Sequence, residues 1–158
     1  MASWEEIEIE SLKFGAPEFA ARVRALFEAG TNKTIATLRR DGSPRISACE
    51  AQFEDGEITF GMMPGSLKLR DLRRDPRLAM HCPTLEPPKE NPESGPGDAK
   101  LAGLAVEVPP PPDTPHVGAG FFRIDITEVT LTYVGVPADH LVIESWHAGR
   151  GYQRRTRA

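Results

Sequence analysis

Between residues 17 and 29, Phe19, Val23, Leu26 and Phe27 repeat at the i, i+4, i+7, i+8 spacing that gives a helix one apolar face. Pro17 suits the first helical position and Gly30 the residue after the end. From there the period falls to two. Residues 34–39, 44–53 and 57–62 predict three strands, joined by Asp41-Gly42 and Asp55-Gly56, dipeptides that form tight hairpin turns. The result is an antiparallel meander. A Pro64-Gly65 turn follows, then Ser66 as a helix cap, a basic helix that Pro76 ends, and a fourth strand over 77–82. Leu69 and Leu72, three apart, belong to the core side of that helix, which turns Arg70, Arg73 and Arg74 elsewhere.

Composition changes at Pro83. Ten of the 15 prolines fall in residues 83–115, which predicts exposed, extended loops over 83–98 and 109–118. A fifth strand, over 100–108, separates them. Residues 121–134, rich in Thr, Val and Tyr, form a long strand, and 141–146 the last. The tail from 149 to 158 carries Arg150, Arg154, Arg155 and Arg157. The reading is a single domain over 1–158, mainly β with helices (α+β): an antiparallel, closed or partly closed barrel of about seven strands, with an N-terminal helix and a short helix between strands three and four.

The 158 residues suffice for one sizeable core. A net charge of −4 supplies no basic field for nucleic acid or an anionic membrane. No apolar run approaches the ~20 residues that span a bilayer, and residues 1–10 are acidic and lack a secretory pattern. Cys49 and Cys82 form no metal motif or disulfide framework and read as buried thiols, in keeping with a cytoplasmic setting. His81, His116, His140 and His147 have no metal-ligand spacing and read as ordinary surface or core histidines, with His147 set apart by its neighbour Trp146.

Against this acidic background the start of the basic helix stands out. Its first turn has unpaired N–H groups and the positive end of the helix dipole. Ser66 caps it, and Lys68 adds a cation where the dipole alone disfavours one, an arrangement that suits a phosphate. The alternatives are a solvated lysine and a plain helix cap. No Ser/His/Asp arrangement and no Walker or Rossmann glycine loop is present.

The segments Asp41-Gly42-Ser43-Pro44-Arg45-Ile46-Ser47, the strand from Ile58 to Met62, Gly65-Ser66-Leu67-Lys68, Leu72-Arg73-Arg74-Asp75-Pro76-Arg77 and Gly97-Asp98-Ala99-Lys100-Leu101-Ala102-Gly103 come in an order that resembles the FMN-binding split-barrel proteins related to pyridoxamine 5′-phosphate oxidase. The resemblance covers roughly residues 20–146. It implies a homodimer with flavin at the subunit interface, and a flavin-dependent oxidoreductase that moves hydride or electrons to or from a small molecule. By the same resemblance Arg45, Ser66 and Lys68 contact the phosphate, Ile46 and Ser47 run along the flavin ring, and Phe60, Gly61 and Met62 border the ring and ribityl chain. Trp146 and Arg150 reach the partner's cofactor. Relatives of this architecture also bind F420 or haem, and a flavin carrier or stress-related protein without turnover is the alternative. Leu67 stands where the family often has arginine. The tail, Trp146-His147-Ala148-Gly149-Arg150-Gly151, lacks the Arg-x-His pair of the true pyridoxamine phosphate oxidases.

Overall fold

The computed structural model describes residues 2–158. Three helices, α1 (Trp4–Lys13), α2 (Pro17–Phe27) and α3 (Leu67–Arg74), accompany eight strands: β1 (Asn32–Leu38), β2 (Pro44–Glu54), β3 (Glu57–Met62), β4 (Arg77–His81), β5 (Asp98–Val108), β6 (Gly120–Val134), β7 (Leu141–His147) and β8 (Gly151–Arg157). All pairings are antiparallel, in the order β3-β2-β1-β4-β5-β6-β7-β8, and β3 also pairs with β6. That last pairing closes β1–β6 into a six-stranded barrel and leaves β7 and β8 as an extension.

The barrel is split because β6 changes partner along one edge. Its first residues, Gly120 to Arg123, face β3, with Phe122 opposite Phe60. Its later residues, Glu128 to Val134, face β7. Fifteen residues of strand span about 50 Å, enough to serve both neighbours while β5 pairs along the other edge. The register on that edge shifts between Ala102 and Gly103. A side chain at Gly103 would sit 2.2 Å from the Asp125 carbonyl oxygen, so only glycine allows β5 and β6 to approach there.

The β2–β3 hairpin forms as the Asp-Gly rule requires. Asp55 and Gly56 both have positive φ, 50° and 77°, the geometry of a turn whose twist matches the flanking strands. Alternation then sends Ile58, Phe60 and Met62 inward. Phe60 and Phe122 stack at 5.4 Å across the closing seam, where aromatic pairing adds to apolar burial.

Two elements differ from the sequence reading. The acidic N-terminus is helical. Ser3 and Glu6 form a capping box, with the Ser3 hydroxyl accepting from the Glu6 N–H and the Glu6 carboxylate accepting from the Ser3 N–H. Trp4 and Ile7 of α1 are buried in the main core. The arginine-rich tail is an eighth strand, paired along its whole length with β7. Its arginines are exposed on an edge strand, where charge discourages pairing with another chain. The proline-rich segments 83–97 and 109–119 contain one turn of 3-10 helix, Pro92–Ser94, and no strand.

Candidate functional site

Helix α3 lies against β1 and β2 because of its two buried leucines, Leu69 and Leu72, and because of a buried carboxylate. Asp71 is 2% exposed. Its Oδ2 accepts from Thr37 Oγ1 at 2.7 Å and from Arg45 Nε at 2.7 Å, and its Oδ1 accepts from Arg74 Nη2 at 3.1 Å. Arg74 Nη2 also donates to the Leu38 carbonyl at 2.6 Å. Burial by itself would raise the Asp71 pKa. The hydrogen bonds from Arg45, Thr37 and Arg74, with the charge of Arg45, outweigh it and hold the carboxyl below its ordinary range.

A depressed carboxyl stabilises the fold above its unfolded-state pKa, about 3.9 for aspartate, and the contribution fades as pH falls through the lower folded value. Urea midpoints of the wild type should therefore drop below about pH 4. Asp71→Asn should start lower at neutral pH and lose less over that acid window. Parallel curves for the two proteins would contradict this account of Asp71.

One turn earlier on α3, the Lys68 ammonium reaches back to β2 and donates to the Ala48 carbonyl at 2.7 Å. No carboxylate lies within salt-bridge distance of it among the described residues. Ser66 caps the helix as expected, its hydroxyl accepting from the Leu69 N–H at 3.4 Å. The N–H groups of Leu67 and Lys68 have no protein partner among the described residues.

Lys68 lines an open cleft of about 430 Å³. β2 contributes Ala48, Cys49 and Glu50, the end of β3 contributes Gly61 and Met62, and Met63 follows them. Asn32, at the start of β1, also lines it, as do His116 and Ala119 of the proline-rich segment and Phe121 at the start of β6. The walls are largely apolar. The polar groups are Lys68, Asn32, His116 and Glu50, so an anion is favoured beside Lys68 and disfavoured beside Glu50. Burial pushes the Cys49 thiol up to about 11, against the pull of the Lys68 and Lys33 charges, so it is protonated at neutral pH and a poor nucleophile.

This donor set fits a phosphorylated, flat, apolar ligand. An ammonium without a carboxylate partner stands beside two free N–H groups at a helix start, and methionine and phenylalanine walls suit a ring. No cluster of three or more metal-ligating side chains occurs among the described residues.

No protein-family model and no curated protein matches the chain. Solved structures do. A pyridoxamine 5′-phosphate oxidase-related, FMN-binding protein from Nostoc punctiforme aligns over 100% of this chain and 98% of its own, with a TM-score of 0.62 at 12% identity. PhzG from Burkholderia lata, solved with tetrahydrophenazine-1-carboxylic acid, aligns over 94% and 91%, with a TM-score of 0.60 at 14% identity. An F420 reductase aligns over 67% and 94%, with a TM-score of 0.51 at 19% identity. The chain has the pyridoxamine 5′-phosphate oxidase-like split-barrel fold.

This split barrel brings together some of the residues singled out from the sequence and separates others. Gly61, Met62 and Lys68 line one cleft. Ser66 caps the helix that carries Lys68, and Arg45 touches the same helix through Asp71. Ser47 is half-buried on β2, and Ile46 beside it is 74% exposed. The Phe60 side chain points into the barrel against Phe122.

Trp146 and Arg150 are not at this cleft. Trp146 is buried under α1, where its indole N–H donates to Glu10, and Arg150 sits exposed in the β7–β8 turn. Three cleft residues, Asn32, His116 and Phe121, carried no local sequence signal. They reach the site from a strand start, a proline-rich loop and a distant strand, and only barrel closure gathers them.

Proposed function

We propose that this split barrel binds FMN with its phosphate at the Lys68 end of the cleft, and that it works as a flavin-dependent oxidoreductase on a small molecule. The carrying observation is the Lys68 ammonium, held by a single carbonyl and unpaired with any carboxylate, beside the free N–H groups of Leu67 and Lys68. When bound, the flavin supplies the redox chemistry. The chain's own part is to hold the phosphate with Lys68, Ser66 and the helix start, and to keep water from one ring face with Met62, Met63 and Phe121. Backbone groups along Arg45 to Ser47 would hydrogen-bond the bound ring. No side chain of the cleft is required as an acid or base for hydride transfer itself.

A second copy of the chain completes the site in this reading. Ile46, Met63, Leu67 and Val117 are large apolar side chains left exposed, with Val117 at 96%. A partner subunit would cover this apolar surface, and it would bring the Trp146 and Arg150 region of its own chain toward the cofactor. The two buried free thiols, Cys49 and Cys82, accord with a cytoplasmic setting. No helix among the described residues is long and apolar enough to cross a membrane.

Purified protein titrated with FMN, F420 and haem, followed by absorbance and thermal melting, tests the reading. FMN at 100 times its Kd should add about 2.7 kcal/mol of stability. A higher affinity for F420 or haem would reassign the cofactor. No melting shift with any of the three would reject a redox role. Bound FMN that neither NAD(P)H nor added donors reduce would leave a flavin carrier instead. Light scattering that finds a monomer at micromolar concentration would remove the shared site.

A further inference from the structure

Buried polar groups are normally hydrogen-bonded. The Asp71 cluster leaves donors free. Arg45 gives only its Nε to Asp71, at 2.7 Å, and neither of its Nη groups has a protein partner among the described residues. Its side chain keeps 20% of its surface exposed although its Nε is held by Asp71.

The pin is rigid. Asp71 also holds Thr37 of β1, and through Arg74 it is tied to the Leu38 carbonyl, so one carboxylate fixes α3 to β1 and to β2 together. The charges around it are Arg45 and Arg74 against Asp71 alone, which leaves one positive charge uncompensated within the cluster. An arginine is suited to this because its planar fork serves two anions at once, one through Nε and one through the paired Nη groups.

We infer that Asp71 is a positioning residue for phosphate binding: by gripping Arg45 through Nε it aims the two free Nη groups of Arg45 at the phosphate held by Lys68 and the start of α3. The inference rests on the FMN reading above and adds to it a residue that does not touch the ligand. Lys68 and Asp71 lie three positions apart on α3, and their strand contacts, Ala48 and Arg45, lie three apart on β2. The same helix therefore docks both cations along one strand. Restraining a long arginine side chain beforehand lowers the ordering cost of binding.

The test compares FMN with riboflavin, which has the same ring and no phosphate. The wild type should prefer FMN. Asp71→Asn, which keeps the volume and loses the charge, should weaken FMN by about tenfold or more, the size seen when a partner that orients a metal ligand is removed. Riboflavin affinity should hold. Arg45→Lys provides the second arm: an ammonium can meet Asp71 or the phosphate but not both, so it should fold and still lose the preference for FMN.

A preference for FMN undiminished in Arg45→Lys overturns the inference. So does an equal loss of both ligands in a folded Asp71→Asn, which would mark Asp71 as purely structural. If Asp71→Asn does not fold, Thr37→Val, which removes one donor from the cluster, takes its place with the same expected pattern at smaller size. A wild type that binds FMN and riboflavin equally rejects the phosphate site itself, and with it the FMN reading. FMN preference in the wild type with intact preference in the variants rejects only the role of Asp71.

Discussion

Lys68→Glu is expected to weaken FMN binding by at least about a hundredfold while leaving the melting temperature of the unliganded protein unchanged. Two unit charges about 4 Å apart interact by about 4 kcal/mol at an effective dielectric near 20. The cleft is open to water, which screens the interaction, so about 3 kcal/mol is the more realistic loss, or about a hundredfold in Kd. The substitution removes an attraction and installs a repulsion, which argues for more. The fold should survive because Lys68 makes one hydrogen bond, to the Ala48 carbonyl, and no ion pair. Flavin fluorescence titration measures the affinity and circular dichroism the melt. Retained affinity would move the phosphate away from α3 and remove the observation on which the proposed function stands.

Trp4→Ala is expected to cost about 3 to 5 kcal/mol, as large aromatic truncations in cores do. Trp4 is 1% exposed, packs edge-on against Phe53 at 5.1 Å, and donates its indole N–H to Glu8 at 2.8 Å. Phe53 lies on β2, the strand that also carries Arg45 and Ala48. Loss of Trp4 therefore loosens the packing of α1 on the barrel strand β2, and does more than fray a terminus. For a chain of this length the cost corresponds to about 10 °C in Tm. A change of a degree or two would mean that α1 is a detachable appendage, with its burial contributing little to the barrel.

The two expected effects differ in how far the sequence announces them. Ser66, Lys68 and the helix to Arg74 are legible in a line of text, because capping, dipole and leucine spacing act within a few residues. The same holds for the Asp-Gly hairpins and the β1–β2–β3 meander. Trp4 is different. Its Ser3–Glu6 capping box is present in the sequence, but the apolar face of α1 consists of little more than Trp4 and Ile7 amid glutamates, too thin a stripe to mark a core helix. The tail 149–158 shows the reverse problem: its arginines give no apolar alternation, and they are solvated, yet the backbone is a strand. Edge strands need only one neighbour, and β7 supplies it.

Asp71 was also out of reach of local patterns. A charged residue between Arg70 and Leu72 on a basic helix reads as exposed, and it is buried because Thr37 and Arg45, far off in the chain, come to it. Arg45 stands out in the sequence only by resemblance, and nothing local ties it to Asp71. His116 reads as a loop histidine and becomes a cleft residue when the segment before β6 folds back over β3.

By itself, then, the sequence determined the first seven strands, the turns between the first three, and a helix start suited to an anion, since each is set by the conformational preferences of neighbouring residues. Tertiary structure alone decided that β6 would abandon β3 for β7 and so split the barrel, that an acidic terminus and a basic tail would both become ordered elements, and that Asp71 would leave Arg45 with two hands free. Those outcomes depend on which distant surfaces meet, and burial and pairing between remote segments carry no period along the chain from which to read them.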